Sequence, residues 1–165
     1  MTRPAGAADV ALLVLDVDGV LTDGRLWFGA AGEAFKAFHV RDGLGIKLLR
    51  AAGVEVAVIS GRSSAAVAAR MQELGVEQVA QGVTDKAVAL AGLLRALGVP
   101  AARTACLVDD TPDLPLMRAV GLPAAVADAH PEVLAAAAHV TAARGGHGAV
   151  REFCDWLLAA RKPAA

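Results

Sequence analysis

The sequence contains few aromatic residues and few cysteines. Its 165 residues include no tyrosine and two cysteines, and aromatic residues make up 4% of the chain. A chain with so few aromatic side chains is poorly suited to stack the bases of a nucleic acid. The formal net charge of −1 also argues against an extended basic surface. We therefore expect a small-molecule partner and no nucleic acid.

Long apolar runs and a secretory leader are also missing. No apolar run approaches the length that a membrane span requires. The first ten residues lack the charged start and the apolar stretch of a secretory signal. Cys106 and Cys154 each fall in an apolar context, which favours buried free thiols in a reducing compartment over a disulfide. These observations predict a cytoplasmic protein with no membrane partner.

The alternation of strand-like and helix-like segments predicts the fold class. We expect an α/β fold with a doubly wound parallel sheet, in a single domain over residues 10–162 that follows a frayed leader at 1–9. The predicted core strands are 12–15, 54–59, 78–80, 104–108 and 123–126. The predicted helices are 42–52 capped by Asp42, 64–74, 85–97, 112–120, 131–138 and a last helix that ends near 160. Two further strand-like pieces, 25–28 and 34–38, predict a β-hairpin within residues 24–40.

The most informative stretch is the apolar run that ends in Asp16, Val17, Asp18 and Gly19. A continuous apolar run is typical of a strand that is buried on both faces. Two carboxylates at the end of such a strand are costly unless a cation compensates them. Ligands of open α/β sheets lie beyond the carboxyl ends of the strands, so this stretch predicts an active-site strand. The alternative is an ordinary turn at Asp18 and Gly19.

Polar residues near four predicted strand ends point to phosphoryl transfer. Asp16 is the candidate nucleophile, and Asp18 is the candidate general acid and base. Ser60 and Gly61 precede a helix and can hold a phosphate, although a helix cap would also explain Ser60. Lys86 lies in the first turn of its helix, where a bound phosphate would compensate an otherwise unfavourable cation. The remaining candidates are carboxylates near the fourth strand end: Asp109 as a metal ligand, with Asp110 and Asp113 supporting it.

In this order, these residues resemble the haloacid dehalogenase superfamily, and more closely its 3-deoxy-D-manno-octulosonate 8-phosphate (KDO 8-phosphate) phosphatase family. The resemblance covers residues 11 to 158. Its motifs are LDVDGVLTDG at 15–24, FHVRDG at 38–43, ISGR at 59–62, QGV at 81–83, Asp109-Asp110 with Asp113, VADAHP at 126–131 and GAVRE at 148–152. The first and fourth motifs are typical of the superfamily; FHVRDG, VADAHP and GAVRE are typical of the phosphatase family.

The resemblance implies a Mg²⁺-dependent phosphomonoesterase without a separate cap domain, in which only the hairpin covers the site. It implies Mg²⁺ held by Asp16, the backbone carbonyl of Asp18, and Asp109. The implied substrate-binding residues are Asp18, His39, Val40, Arg41, Asp42, Gly43, Lys47, Arg62, Arg70 and Lys86. It further implies a homotetramer with the hairpins at the subunit contacts and the tail near an adjacent site. The Gly145–Gly148 segment, with three glycines, predicts a flexible stretch able to approach a ligand.

Two residues depart from the family pattern, and other readings of the sequence follow from them. Val108 stands where the family usually has glycine, and His39 stands where asparagine is usual. One alternative is a phosphatase for a related nine-carbon keto-acid sugar phosphate. Another is a non-catalytic regulatory module of the same fold. A phospho-acceptor signalling receiver is disfavoured, because its acidic pair comes first along the chain and its acceptor aspartate comes later.

Overall fold

The computed structural model describes residues 6–161, and its main element is a parallel sheet. The six strands are β1 (Leu12–Leu15), β4 (Glu55–Ile59), β5 (Gln78–Ala80), β6 (Thr104–Val108), β7 (Leu122–Ala125) and β8 (His139–Val140). Their order across the sheet is β5-β4-β1-β6-β7-β8, and each neighbouring pair is parallel. The chain therefore builds outward from β1 in one direction and then returns to build in the other. This confirms the predicted doubly wound α/β fold.

Helices connect the strands and pack on the sheet. They are α1 (Val40–Ala51), α2 (Ala65–Leu74), α3 (Lys86–Leu97), α4 (Leu114–Arg118), α5 (Pro131–Ala136) and α6 (Ala149–Arg161). Helix α1 contacts α2 and α6, whereas α4 contacts α3 and α5. Because parallel crossovers are right-handed, the reversal of direction at β1 places these two groups on opposite faces.

The centre of the sheet is completely buried. All four residues of β1 and all five of β6 are buried, as the continuous apolar run predicts. The carboxyl ends of β1, β4 and β6 lie side by side, so the residues that follow them meet at one edge. Asp16 follows β1, Ser60 follows β4 and Asp109 follows β6. The sheet order alone therefore assembles the polar residues that the sequence separates.

The hairpin after β1 consists of β2 (Trp27–Gly29) and β3 (Gly32–Phe35), which pair antiparallel. Its two-residue loop is shorter than the predicted one, and both strands are correspondingly displaced towards each other. All three residues of β2 are exposed. The hairpin forms a separate two-stranded sheet beside the main sheet.

The predictions for residues 6–9 and for the cap of α1 are wrong, and one strand was missed. Residues Ala7–Asp9 are not frayed: they form a 3₁₀ helix with Ala7 fully buried, and Arg161 donates to the carbonyls of Ala8 and Val10. The rest of the predicted leader at 1–5 lies outside the described residues. Strand β8 was not predicted, because two residues carry too little pattern. Asp42 does not cap α1; the N-cap is His39, whose Nδ1 accepts from the backbone N–H of Arg41.

Asp42 instead connects the first long helix to the last. Its side chain is 1% exposed, and Oδ1 accepts from the backbone N–H of Arg151 at 2.9 Å, at the start of α6. Burial raises the pKa of this carboxyl, and the hydrogen bond from Arg151 lowers it in part. Gly45 lies where a Cβ atom would meet the backbone of Arg151, so α1 and α6 approach closely here.

The structure also tests the expectations of free thiols and of no membrane-spanning segment. Cys106 and Cys154 are both buried and free, as the apolar context of each predicts. Of the helices described, none combines the length with the apolar composition needed to cross a bilayer.

Candidate active site

One cavity lies beyond the carboxyl ends of β1, β4 and β6. Its volume is about 240 Å³. The residues that line it are Asp16, Asp18, Ser60, Gly61, Arg62, Lys86, Asp109, Asp110, Pro112 and Asp113. The eight residues that were predicted near the four strand ends therefore all line this cavity. Larger grooves elsewhere are lined mainly by apolar side chains.

Three carboxylates form the floor of this cavity. Asp16, Asp109 and Asp113 each offer an oxygen atom, and these atoms all lie within 4.8 Å of one another. Burial, followed by repulsion from Asp113, raises the pKa of Asp16 to about 6. Burial and the negative charges of Asp16 and Asp113 raise the pKa of Asp109 to about 8. The cluster therefore holds more negative charge than the protein alone stabilises.

Lys86 is the positive group that faces this cluster. As the first residue of α3, it lies after the N-cap Asp85, and its Nζ is 3.0 Å from Asp16 and 2.5 Å from Asp113. Burial alone would lower the pKa of Lys86, but the charges of Asp16 and Asp113 outweigh it and raise the pKa. Placing an ammonium at a helix N-terminus is unfavourable, so the two carboxylates account for its position.

The donor set fits a divalent cation. When all three carboxylates are ionised, the ammonium of Lys86 leaves two negative charges uncompensated, which one divalent ion would balance. Carboxylate oxygens are the ligands that hard cations such as Mg²⁺ prefer. Asp113 contributes an oxygen to the same cluster as Asp16 and Asp109, so these three carboxylates are the candidates to hold the cation.

Asp18 faces the hairpin rather than the carboxylate cluster. Lys36, one residue beyond β3, places Nζ 2.6 Å from Oδ1 of Asp18 and 2.9 Å from Oε2 of Glu33. The side chain of Lys36 is only 2% exposed. Burial would lower the pKa of Lys36, but its hydrogen bonds to Asp18 and Glu33 outweigh this and raise it. An ion pair from Lys36 therefore connects the hairpin to Asp18, the predicted general acid.

Glu33 connects the hairpin to the segment after β4. Its Oε1 accepts from the hydroxyl of Ser64 at 2.5 Å, and its Oε2 is 3.9 Å from the guanidinium of Arg62. These bonds to Ser64 and Lys36 lower the pKa of Glu33. Arg62 also lies 3.9 Å from Asp18, so it contributes to the same network.

Sequence reasoning missed Glu33 and Lys36. The available signal was a lysine inside the apolar run 34–38, three residues after an acid. A lysine in such a run requires a buried partner, and here Asp18 is one of its two partners.

Ser60 and Gly61 lie where a phosphate could be held. Ser60 is 2% exposed, and its Oγ accepts from the backbone N–H of Arg62 at 3.4 Å. It does not cap α2, since the N-cap position is Ser64. The helix-cap explanation of Ser60 is therefore wrong, and Ser60 is among the residues that line the cavity.

Asp110 and Val108 have mainly structural contacts. Oδ1 of Asp110 accepts from the backbone N–H of Thr111 at 2.7 Å, in a capping box completed by Asp113. Val108 is the buried last residue of β6 and stays in register with Ala125 of β7. The valine is therefore accommodated inside a regular strand, and Asp109 still reaches the carboxylate cluster.

Seven of the predicted substrate-binding residues lie on or beside α1 and α2 and are not among the residues that line the cavity. They are His39, Val40, Arg41, Asp42, Gly43, Lys47 and Arg70. Val40, Arg41 and Lys47 are exposed. Arg70 packs against Gly43 and pairs with Glu73 at 2.9 Å. Within one chain, the structure therefore unites Asp18, Arg62 and Lys86 of the predicted set and not these seven.

Comparison with known proteins gives the family. A family model for haloacid dehalogenase-like hydrolases matches residues 78–153. The 3-deoxy-D-manno-octulosonate 8-phosphate phosphatase of Escherichia coli is 46% identical over 157 residues, which is 95% of this chain and 84% of the relative.

Solved structures agree with this assignment. The cobalt-bound deoxy-D-mannose-octulosonate 8-phosphate phosphatase of Haemophilus influenzae superposes with a TM-score of 0.93 at 46% identity, covering 94% of this chain and 91% of that one. A Moraxella catarrhalis structure of this phosphatase, in complex with magnesium, phosphate and KDO, gives a TM-score of 0.92 at 40% identity, with 94% and 90% covered. Both relatives bind divalent cations, which supports the fit of Mg²⁺ to the three carboxylates. The chain belongs to the KDO 8-phosphate phosphatase family of haloacid dehalogenase-like hydrolases.

Proposed function

We propose that this chain hydrolyses 3-deoxy-D-manno-octulosonate 8-phosphate to KDO and inorganic phosphate. The observation that carries the proposal is that Asp16, Asp18 and Lys86 line one cavity with the cation-binding carboxylates. A nucleophile, a proton donor and a phosphate-binding cation in one place are what a phosphomonoesterase requires. The family to which the chain belongs supplies the substrate class.

In the first step, an oxygen of Asp16 attacks phosphorus, and the bond from phosphorus to the sugar oxygen breaks. Asp18 gives its proton to that leaving oxygen, which completes the sugar hydroxyl. In the second step, Asp18 removes a proton from water, whose oxygen attacks phosphorus and releases Asp16 and phosphate. Lys86 and Ser60 hold the phosphoryl oxygens during both steps. Bound Mg²⁺ would offset the negative charge shared by the carboxylates and the phosphoryl group.

We assign the sugar end of the substrate to the hairpin side of the cavity. Arg62 lines the cavity and is close to Asp18 without a tight ion pair, since both of its acidic neighbours are 3.9 Å away. A loosely paired guanidinium is suited to bidentate binding of the substrate carboxylate. Arg70, Arg41 and Lys47 would contribute only through a second chain or a movement of α1.

The proposed assembly is a homotetramer formed through the hairpins. Trp27 and Phe35 stack with ring centroids 5.2 Å apart, and their exposed fractions are 46% and 54%. Leu26 and Phe28, the chain neighbours of Trp27, are also exposed, at 43% and 63%. A patch of this kind is typical of a protein interface. The free thiols of the two cysteines agree with the reducing cytoplasm as the proposed location.

The proposal is tested with purified protein, Mg²⁺ and a panel of phosphomonoesters. The panel contains KDO 8-phosphate, a nine-carbon keto-acid sugar 9-phosphate, a hexose 6-phosphate and 4-nitrophenyl phosphate. We expect the highest kcat/KM with KDO 8-phosphate and no turnover after removal of Mg²⁺ by a chelator. A preference for the nine-carbon substrate would replace the assignment with the closest alternative. Absence of turnover on every member of the panel would favour a regulatory module.

A further inference from the structure

The turn before α6 lies directly beneath the loop that carries the catalytic acids. A Cβ atom added at Gly145 would overlap the carbonyl oxygen of Gly19, and one added at Gly146 would overlap the backbone at Thr22 and Asp23. The backbone N–H of Gly146 donates to the carbonyl of Val20 at 2.9 Å. The expectation that this glycine segment is a free, flexible stretch is therefore wrong at Gly145 and Gly146.

Gly19 also lies against the carboxylate cluster. Its φ is +86°, and a Cβ atom there would overlap the carboxylate of Asp109. Gly19 thus lies between Gly145 on one side and Asp109 on the other. Asp18, whose carbonyl is the implied metal ligand, immediately precedes it. A displacement of Gly19 towards Asp109 would therefore act on the carbonyl of Asp18 and on the carboxylate of Asp109 together.

The turn itself is held from two directions. Oδ1 of Asp128 accepts from the backbone N–H of Gly145 at 2.9 Å, while its Oδ2 is 3.3 Å from Nε of Arg144. Glu152 of α6 accepts from the backbone N–H groups of Ala142 and Ala143, both at 2.8 Å. The turn is therefore a fixed support rather than a passive linker.

We propose that Gly145 and Gly146, anchored by Asp128, are positioning residues that set the geometry of the cation site. They hold the 18–20 backbone at the distance from Asp109 that cation binding requires. The inference rests on the proposed function only in taking Mg²⁺ as the cation. Groups that orient metal ligands from outside typically affect affinity by about 10–100-fold.

The main experiment measures Mg²⁺ binding by calorimetry without substrate, together with thermal unfolding. We expect Gly145→Ala to weaken Mg²⁺ binding by about 10–100-fold. Gly121→Ala is the matched control, because its Cβ would also overlap a backbone carbonyl, that of Ala102, far from the cavity. It should lower the melting temperature while leaving the Mg²⁺ affinity of the folded protein unchanged. An equal loss of Mg²⁺ affinity in both variants would overturn the proposal.

A second pair of variants keeps the test decisive if Gly145→Ala does not fold. Asp128→Ala retains both glycines but removes the acceptor for Gly145, so we expect a several-fold weaker Mg²⁺ affinity. Asp128→Asn keeps an acceptor oxygen and should restore most of it. Amide hydrogen exchange in residues 18–23 of the metal-free protein should be faster in Asp128→Ala than in Asp128→Asn.

The outcomes separate this inference from the proposed function. Unchanged Mg²⁺ affinity in Asp128→Ala and Gly145→Ala would overturn the inference even if the enzyme hydrolyses KDO 8-phosphate. A wild-type protein that binds no Mg²⁺ would overturn it as well. Mg²⁺ binding that responds to Asp128→Ala, in a protein without KDO 8-phosphate hydrolysis, would uphold the inference and reject the substrate.

Discussion

The two sides of the active-site cavity differ in how their charges are balanced. On the sheet side, the carboxylates of Asp16, Asp109 and Asp113 crowd around Lys86, and negative charge is in excess. On the hairpin side, Lys36 and Arg62 alternate with Asp18 and Glu33, so positive and negative groups are matched. The sheet side needs a cation to complete it, whereas the hairpin side is complete by itself.

This difference follows from what supports each side. Asp16 and Asp109 follow the buried strands β1 and β6, and Asp113 immediately precedes α4. The packing of these elements holds the three carboxylates close together although they repel one another, which lowers the stability of the fold. The hairpin has exposed strands and little core of its own, so only attractive contacts can keep it in place. Substitutions on the sheet side should therefore abolish phosphate hydrolysis, whereas substitutions on the hairpin side should lower kcat/KM only partially.

The largest effect is expected from Asp16→Asn on the sheet side. Removing a nucleophile typically lowers the rate on the order of 10⁴–10⁶-fold, and the amide keeps the volume of the side chain. Steady-state assay with KDO 8-phosphate measures the loss, and circular dichroism reports the fold. Asp155→Asn on α6 is the control for the same chemical change away from the cavity. Near wild-type turnover by Asp16→Asn would refute the nucleophile assignment.

Lys36→Met tests the hairpin side directly. A hydrogen bond to a charged group contributes roughly 1.5–3 kcal/mol, so losing the hold on Asp18 should lower kcat/KM by about 10–100-fold. The loss should be larger for a sugar phosphate than for 4-nitrophenyl phosphate, whose leaving group needs little protonation. Lys36→Arg keeps the positive charge and should recover part of the activity. Equal losses on both substrates would indicate a purely structural contact.

Arg62→Ala should change KM for one substrate and leave KM for another nearly unchanged. Losing a charge-assisted contact to the substrate carboxylate should raise KM for KDO 8-phosphate by about tenfold. KM for 4-nitrophenyl phosphate, which has no carboxylate, should change little. Arg118→Ala, an exposed arginine of α4, is the control for removing one positive charge. The same rise in KM for both substrates would reassign Arg62 to phosphate binding.

Trp27→Asp should disturb assembly more than chemistry. A carboxylate in the exposed aromatic patch should shift the protein to smaller species in analytical ultracentrifugation and lower kcat/KM by less than Arg62→Ala does. Val88 of α3 is also exposed and apolar, at 67%, so Val88→Asp is the matched control. A wild-type protein that sediments as a fully active monomer would contradict the proposed tetramer.

The smallest effect concerns the cysteines. Burial raises the pKa of Cys106 to about 12, and burial likewise raises that of Cys154 to about 12. Both thiols should remain protonated from pH 7 to pH 9, so iodoacetamide should neither label nor inactivate the native protein. Mass spectrometry should find both cysteines labelled after unfolding. Rapid labelling of the native protein would show that the core around them opens easily.

The sequence could predict the sheet side well and the hairpin side poorly. Asp16, Ser60 and Asp109 are each preceded by an apolar strand, and in a parallel sheet the ends of such strands converge. Lys36 and Glu33 lie on a short, exposed hairpin whose docking depends on side-chain pairs. No periodicity encodes such pairs, so their partners at Asp18 and Ser64 could be found only in three dimensions.

Contacts between residues far apart in the chain also escaped prediction. Asp42 has the sequence features of a cap for its own helix, but it bonds Arg151 instead, 109 residues away. Gly145 has the features of a loop residue, but its contact with Gly19 fixes it. Local pattern describes how a segment folds, and it contains no information about which distant backbone will lie against it.

The close packing of α1 on α6 has a consequence for biosynthesis. Helix α1 is made early, yet part of its cover comes from α6, where the backbone of Arg151 bonds Asp42 from 109 residues farther along the chain. A ribosome-bound chain that has not yet released α6 therefore presents an uncovered apolar helix face to its surroundings. Such exposed surface is what promotes aggregation of unfinished chains. Between the synthesis of α1 and the release of α6, the unfinished chain is therefore prone to aggregation, whatever the strength of each single contact in the folded protein.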